Sequence, residues 1–194
     1  NADSISTDEL WPSGGSTAPK VTGGLNIIGL WEVDGSPFSA HAEFPDFPVP
    51  GQLDIPRLSY GDTGASTFWA GHATAVGSVL AGAGTLPSAR GMSYEGRIEA
   101  YSDVDDFSET AAAAAAGMKL SNHSYGQYMG WVFDGSVSAH QWVWVGEQVS
   151  GEDKRFGFYD KQSRKIDLVT YAAPNYLPVY ASGNDVGDAG PLAE

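Results

Sequence analysis

Cysteine is absent from this chain of 194 residues, and basic side chains are scarce. Without cysteine there are no disulfide bonds, no thiolate zinc ligands and no thiol catalysis. Ten lysines and arginines face 24 aspartates and glutamates, which gives a formal net charge of −14. Because such a field repels phosphate backbones, we expect no nucleic acid partner. No apolar run reaches the roughly 18 residues of a bilayer-spanning helix, so we expect no membrane partner either.

Glycine and proline are abundant, with 25 and 11 residues, which indicates many tight turns. Hydrophobic residues make up 42% and charged residues 18%, enough for one domain with its own core. The chain starts at an asparagine with no apolar signal region, the pattern of a mature, processed product. The acidity suits a soluble extracellular protein or one that binds cations, although a merely solvated surface is the commoner explanation.

Apolar runs alternate with segments of helical spacing along the chain. Residues 25–33 are almost continuously apolar, which predicts a strand buried on both faces of a parallel sheet. Residues 71–82 carry small and apolar side chains between glycines, which predicts a short buried helix. Further strands are expected at 97–104, 119–125 and 177–181, and further helices at about 107–117 and in the second half of 154–173. The pattern predicts an α/β fold in three layers, with a mostly parallel sheet flanked by helices.

Three other segments lack a regular period. Residues 1–24 are predicted as an irregular arm, and residues 35–70 as loop with short pieces of structure. Residues 127–160 form an aromatic-rich insertion. Its aromatic side chains could line a specificity pocket or bind sugar, but the packing of an inserted hairpin is the favoured interpretation.

Three polar residues fall where a parallel sheet collects reactive groups, at strand ends and helix starts. Asp34 follows the first strand, His72 opens the first helix, and Asn184 follows the last strand. An aspartate, a histidine and an amide donor are three of the four parts of a serine acyl-transfer site.

The sequence around these residues resembles the subtilisin family of serine proteases. His72 opens the segment His-Ala-Thr-Ala-Val-Gly, which is similar to the family's His-Gly-Thr-His-Val-Ala-Gly. Asp34 lies in Val-Asp-Gly, with His41 seven residues on, and resembles the family's aspartate segment. Residues 84–89, 122–126 and 181–185 are similar to the family's Pro-x-Ala link, its substrate-binding strand and its Ala-Gly-Asn oxyanion segment. The five segments occur in the family's order across residues 25–185.

The resemblance implies a serine endopeptidase with a subtilisin-like fold, of which residues 1–194 are the N-terminal part. Asp34 would orient the base, His72 would be the general base, and Asn184 would donate to the oxyanion. A secreted enzyme acting on peptides or proteins is implied. The residues implied in substrate binding are Ser124, Tyr125, Gly126, Ser182 and Gly183.

Two departures from the family pattern lie beside the catalytic positions. Ala73 and Ala75 replace the usual glycine and second histidine after His72, without removing a catalytic atom. Glu32 is a rival to Asp34, because a shift of two residues in a strand keeps the same face. The spacing to His41 favours Asp34.

The family's nucleophile motif, Gly-Thr-Ser-x-Ala, has no counterpart in these residues, and neither does a Gly-x-Ser-x-Gly elbow. We expect the serine on a separate C-terminal polypeptide produced by cleavage after Glu194, so that the fold is incomplete without that portion. A truncated or catalytically dead chain is the other explanation. The alternative function is a non-catalytic peptide- or glycan-binding module on a degenerate form of the same fold.

No cofactor is required by the implied chemistry, but the resemblance makes structural calcium a second expectation. Carboxylates of the kind that calcium prefers occur near the strand ends, without the spacing of an EF-hand, so no metal ligand is assigned. His123 and His140 receive no role from the sequence. The candidate carboxylates are Asp103, Asp105, Asp106, Asp185 and Asp188.

Overall fold

The computed structural model describes residues 2–15, 17, 19–65, 69–134, 141–149 and 152–184. Three α-helices lie in these ranges: α1 (Gly71–Ala81), α2 (Asp106–Ala115) and α3 (Lys161–Ala172). The strands are β1 (Ile27–Glu32), β2 (Leu58–Tyr60), β3 (Arg97–Ser102), β4 (Leu120–His123), β5 (Trp131–Asp134), β6 (Gln141–Trp144), β7 (Gln148–Val149), β8 (Glu152–Asp153) and β9 (Leu177–Tyr180). Short 3-10 turns occur at Asp3–Ile5, Asp8–Leu10 and Pro87–Ala89.

Five strands form one parallel sheet in the order β2-β3-β1-β4-β9. β1 is central, and five of its six residues are buried. This burial explains its nearly unbroken apolar sequence, because the middle strand of a parallel sheet is covered on both faces. The α/β class and the parallel sheet predicted from the sequence are confirmed.

Helices pack on both faces of the sheet, and side chains alternate between them. Leu30 and Ile98 point to the face covered by α1, where Ala81 joins their cluster. Trp31 points to the opposite face and packs with Ala113 of α2. α1 comes close because Gly77 has no side chain: a Cβ there would lie 3.2 Å from the Ile98 side chain.

Most predicted elements lie where the sequence places them, with ends shortened by one or two residues. α3 begins at Lys161 because the Asp160 carboxylate accepts hydrogen bonds from the backbone N–H groups of Gln162 and Ser163 at 2.8 and 2.9 Å. β2 is a short strand whose position the sequence did not give, since its three residues lie inside a segment predicted as loop with short pieces of structure. It forms an edge of the sheet beside β3.

The aromatic-rich insertion contains two short antiparallel hairpins, β5–β6 and β7–β8. Cross-strand pairs with edge-on rings join Trp131 to Trp144 and Phe133 to Trp142, as the hairpin interpretation expects. Asp153 is buried at the base of the insertion, where its carboxylate accepts hydrogen bonds from Arg155 and from the backbone N–H of Gly130. These bonds hold the pKa of Asp153 well below its ordinary value. No helix among the described residues is long and apolar enough to cross a membrane.

A buried glutamate fixes the loop that leaves α1. The Glu43 carboxylate accepts hydrogen bonds from the backbone N–H groups of Gly84, Thr85 and Leu86 at 2.6, 3.2 and 3.1 Å. Burial alone would raise the pKa of Glu43, but these bonds together lower it from 4.5. The ionised carboxylate is therefore favoured by folding.

Replacing Glu43 by glutamine is expected to lower the free energy of unfolding at pH 7 by about 2 kcal/mol, because charge-assisted hydrogen bonds are lost. A carboxylate whose pKa falls on folding stabilises the fold above its unfolded pKa, and this contribution is lost as the pH falls. Urea unfolding should therefore show the two proteins converging as the pH drops below 4.5. Glu152→Gln, at an exposed carboxylate, is the control. A gap that does not change with pH would contradict this role.

Candidate active site

Glu32 and His72 meet at the carboxyl edge of the sheet. Glu32 is the last residue of β1 and is 2% exposed. His72 is the second residue of α1, and 55% of its side chain is exposed. The His72 Nδ1 atom lies 2.8 Å from Glu32 Oε2. A buried carboxylate therefore holds one nitrogen of an imidazole ring that is largely open to solvent.

The pKa of Glu32 reflects competing influences. Burial raises it, the hydrogen bond and charge of His72 lower it in part, and the charge of Asp34 raises it again. The second oxygen, Oε1, is buried without a hydrogen-bond partner among the described residues. In the ionised form, Glu32 accepts the Nδ1 hydrogen of His72 and leaves Nε2 free to accept a proton.

The structure corrects the sequence-based preference for Asp34 as the partner of His72. β1 ends at Glu32, and Asp34 lies in the bend that follows, with its side chain exposed. The alternation of a strand stops where the strand stops, so Asp34 does not inherit the orientation of Glu32. His41, on which the preference rested, is itself exposed and has its ring 5.9 Å from that of Phe44. The seven-residue spacing between Asp34 and His41 therefore does not indicate which carboxylate contacts His72.

The segments predicted to bind substrate leave the sheet side by side. β4 and β9 are paired in parallel, with His123 opposite Tyr180, and the backbone N–H of Ala181 donates to His123 O at 3.0 Å. Ser124, Tyr125 and Gly126 follow β4. Ser182, Gly183 and Asn184 follow β9 and are exposed. Asn184 thus lies at the same edge of the sheet as Glu32, two strands away in the order β1-β4-β9.

A cavity of about 1060 Å³ opens beside Tyr125. Its walls come from the start of α2, the ends of β4 and β9, the insertion and the start of α3. Apolar and aromatic side chains provide much of the wall, and Asp103 and Asp106 bring negative charge to it. The lining includes Phe107, Tyr125, Met129, Phe158, Ile166 and Tyr180.

His123 is a buried polar residue to which the sequence analysis gives no role. It is fully buried and hydrogen-bonded through both ring nitrogens, with Ser121 Oγ at 2.8 Å from Nε2 and Tyr125 Oη at 3.0 Å from Nδ1. Burial lowers the pKa of His123 to about 4, so the ring is neutral near pH 7. Ser121 and His123 alternate along β4, a period-two pattern of polar groups that could have indicated one shared face.

Structural calcium stays a prediction. Among the described residues, no group of three or more histidines, aspartates or glutamates is arranged to hold a metal ion. Asp106 accepts hydrogen bonds from Tyr125 Oη and from the backbone N–H of Phe107. Asp103 is exposed, Asp105 precedes α2 with a positive φ, and Asp185, Asp188 and His140 lie outside the described residues.

The chain matches no protein-family model, and no curated protein matches its sequence. The α/β architecture and the geometry at the carboxyl edge of the sheet are therefore the basis for a functional assignment.

Proposed function

We propose that this chain supplies the base, the orienting acid and the oxyanion donor of a secreted subtilisin-like serine endopeptidase. A separate C-terminal polypeptide carries the nucleophilic serine. One observation carries the proposal: a buried carboxylate, Glu32, holds Nδ1 of an exposed imidazole, His72, at the carboxyl edge of a parallel sheet. Serine acyl transfer needs this arrangement, because the base must be oriented from one side and open to the nucleophile on the other.

Each group in the proposed reaction has one task. His72 Nε2 takes the proton of the serine hydroxyl as the serine attacks the peptide carbonyl, and it then returns a proton to the leaving amine. Glu32 keeps the Nδ1 hydrogen in place and stabilises the imidazolium that forms. The Asn184 amide donates to the oxyanion of the tetrahedral intermediate. The substrate lies extended beside Ser124 to Gly126 and adds a strand by backbone hydrogen bonds.

An incompletely covered sheet supports a further, serine-bearing portion that packs against it. By register, Leu177 and Val179 of β9 point to the same face as Leu30, which α1 covers. They are 61% and 46% exposed. Both faces of a parallel sheet are normally buried. A polypeptide packed against this half of the face would lie on the side of the sheet that carries α1 and His72.

The deciding experiment uses a fluorophosphonate probe, which labels activated serines, followed by intact mass measurement under denaturing conditions on the native protein. A labelled second polypeptide that copurifies with this chain is the expected result. Heat-denatured protein is the control and should take up no label. A single unlabelled species with the mass of this chain would overturn the proposal.

Asn184→Ala is expected to reduce kcat of the complete enzyme by about 100-fold to 1,000-fold, the effect of removing one oxyanion donor. KM should change little, because the donor acts mainly on the transition state. Steady-state kinetics on a quenched peptide would measure both constants. A loss of less than threefold in kcat would remove Asn184 from the mechanism.

A binding module is the second candidate, and the insertion favours it. Trp131 and Phe133 are each 48% exposed on the β5–β6 hairpin, and exposed aromatic rings are typical of surfaces that hold peptides or glycans. The same labelling experiment separates the candidates, since a binding module would leave the probe unreacted.

A further inference from the structure

Four aromatic rings form a row across the sheet just below its carboxyl edge. Tyr101, Trp31, His123 and Tyr180 occupy one register position on β3, β1, β4 and β9. Neighbouring ring centroids are 4.1, 4.9 and 4.3 Å apart, and their planes differ by 3°, 14° and 15°. His123 is therefore stacked between Trp31 and Tyr180. Its two nitrogens lie in the ring plane and form hydrogen bonds at the ring edges.

The hydrogen bonds at these edges run in one direction. A carboxylate can only accept hydrogen bonds, so the Tyr125 hydroxyl donates its single hydrogen to Asp106 Oδ2, at 2.8 Å. Nδ1 of His123 must then donate to Tyr125 Oη. Because the neutral ring has one hydrogen, Nε2 accepts from the Ser121 hydroxyl, and Ser121 accepts from Tyr176 at 2.5 Å. The chain of donors thus runs from Tyr176 in the core to Asp106 at the cavity.

Packing alone does not explain a histidine in this row. An apolar ring would fill the same space without the cost of burying two polar nitrogens. Imidazole adds two hydrogen bonds at opposite ends of a stacked ring, and one of them fixes Tyr125. Tyr125 is the middle residue of the segment against which the proposed substrate adds a strand, and its ring is a wall of the cavity.

We propose that His123 is a positioning residue: it holds Tyr125 against Asp106 and so keeps Ser124 to Gly126 in the conformation that binds peptide. The inference rests on the proposed function. Ser124 to Gly126 follow β4 directly, and the hydrogen bonds of Tyr125 hold the middle residue of the segment before a peptide arrives, so binding does not have to order it. Loss of the hydrogen-bond chain should therefore weaken substrate binding and leave the chemical step nearly unchanged.

Two variants test this in the complete enzyme, the chain together with its serine-bearing polypeptide. His123→Phe keeps the ring row and removes both hydrogen bonds, while Tyr125→Phe removes one hydroxyl near the surface. Tyr171→Phe, at a position that is 87% exposed, is the matched control. The substrate is an internally quenched decapeptide that the wild type cleaves once. KM should rise about tenfold in each test variant, with kcat within twofold.

The double variant should be no worse than His123→Phe, because both changes break the same chain of bonds. In the wild type, ¹⁵N NMR should show His123 protonated on Nδ1 and bare on Nε2. Protonation on Nε2 would overturn the inference. So would an unchanged KM in Tyr125→Phe, which carries the test if His123→Phe does not fold. A wild type that cleaves no peptide would reject the proposed function, a result distinct from an active wild type whose variants keep their KM.

Discussion

His72→Ala is expected to reduce kcat of the complete enzyme by about 10⁶-fold, the order of loss that a serine triad suffers without its base. The serine hydroxyl is a weak nucleophile until a neighbouring base removes its proton. The His72 ring is largely exposed, so its removal should leave the fold intact. The measurement is single-turnover hydrolysis of the quenched peptide, with the midpoint of thermal unfolding recorded in parallel.

His41→Ala is the matched control for this variant. It removes another exposed histidine from the same side of the protein, beside α1, and its effect on kcat should stay within threefold. Hydrolysis by His72→Ala at a rate close to that of the wild type would refute the base. If His72→Ala and His41→Ala lost activity equally, the cause would be a local structural rearrangement and not the loss of a catalytic base.

Glu32→Gln is expected to lower kcat by about 10⁴-fold, because an amide cannot hold the imidazole in the tautomer that accepts the serine proton. The stability of the fold, in contrast, should rise or stay unchanged in this variant. Burial raises the pKa of Glu32, so the ionised form is disfavoured by folding at pH above 4.5 and its charge costs stability near pH 7. Glutamine has nearly the same shape and no charge. The thermal midpoint at pH 7 should therefore be equal to that of the wild type or higher.

Asp34→Asn is the control that separates the two carboxylates. Asp34 is exposed beyond the end of β1, so its variant should keep kcat within about threefold of the wild type. If Asp34→Asn lost activity and Glu32→Gln kept it, the assignment of the triad acid would be reversed. Equal losses in both variants would show that the pair acts as one charged unit.

The sequence predicts the sheet and its helices because their signals are local. The apolar run of β1 and the small residues of α1 each report their own burial, and both elements are where the pattern places them. β2 carries no such signal, since three residues at a sheet edge bury too little to show a period. The sequence also could not decide between Glu32 and Asp34 as the partner of His72, because that choice depends on the residue at which β1 ends.

His123 illustrates a second limit of sequence reasoning. Its partners come from three elements distant along the chain: Trp31 from β1, Asp106 from α2 through Tyr125, and Tyr180 from β9. The pattern along β4 shows which polar residues share a face, but not which rings and hydroxyls meet them there. The role of a buried histidine therefore cannot be predicted until its tertiary contacts are known.

The central position of β1 also delays its pairing, because both of its neighbouring strands come much later in the chain. Ile27 pairs with Arg97 and Ile28 pairs with Leu120, so neither neighbour of the first strand exists until about seventy further residues have been synthesised. A growing chain carries the most apolar segment of the sheet uncovered during that interval. The closing of such long loops makes folding slow, and the exposed strand is open to pairing with other chains meanwhile.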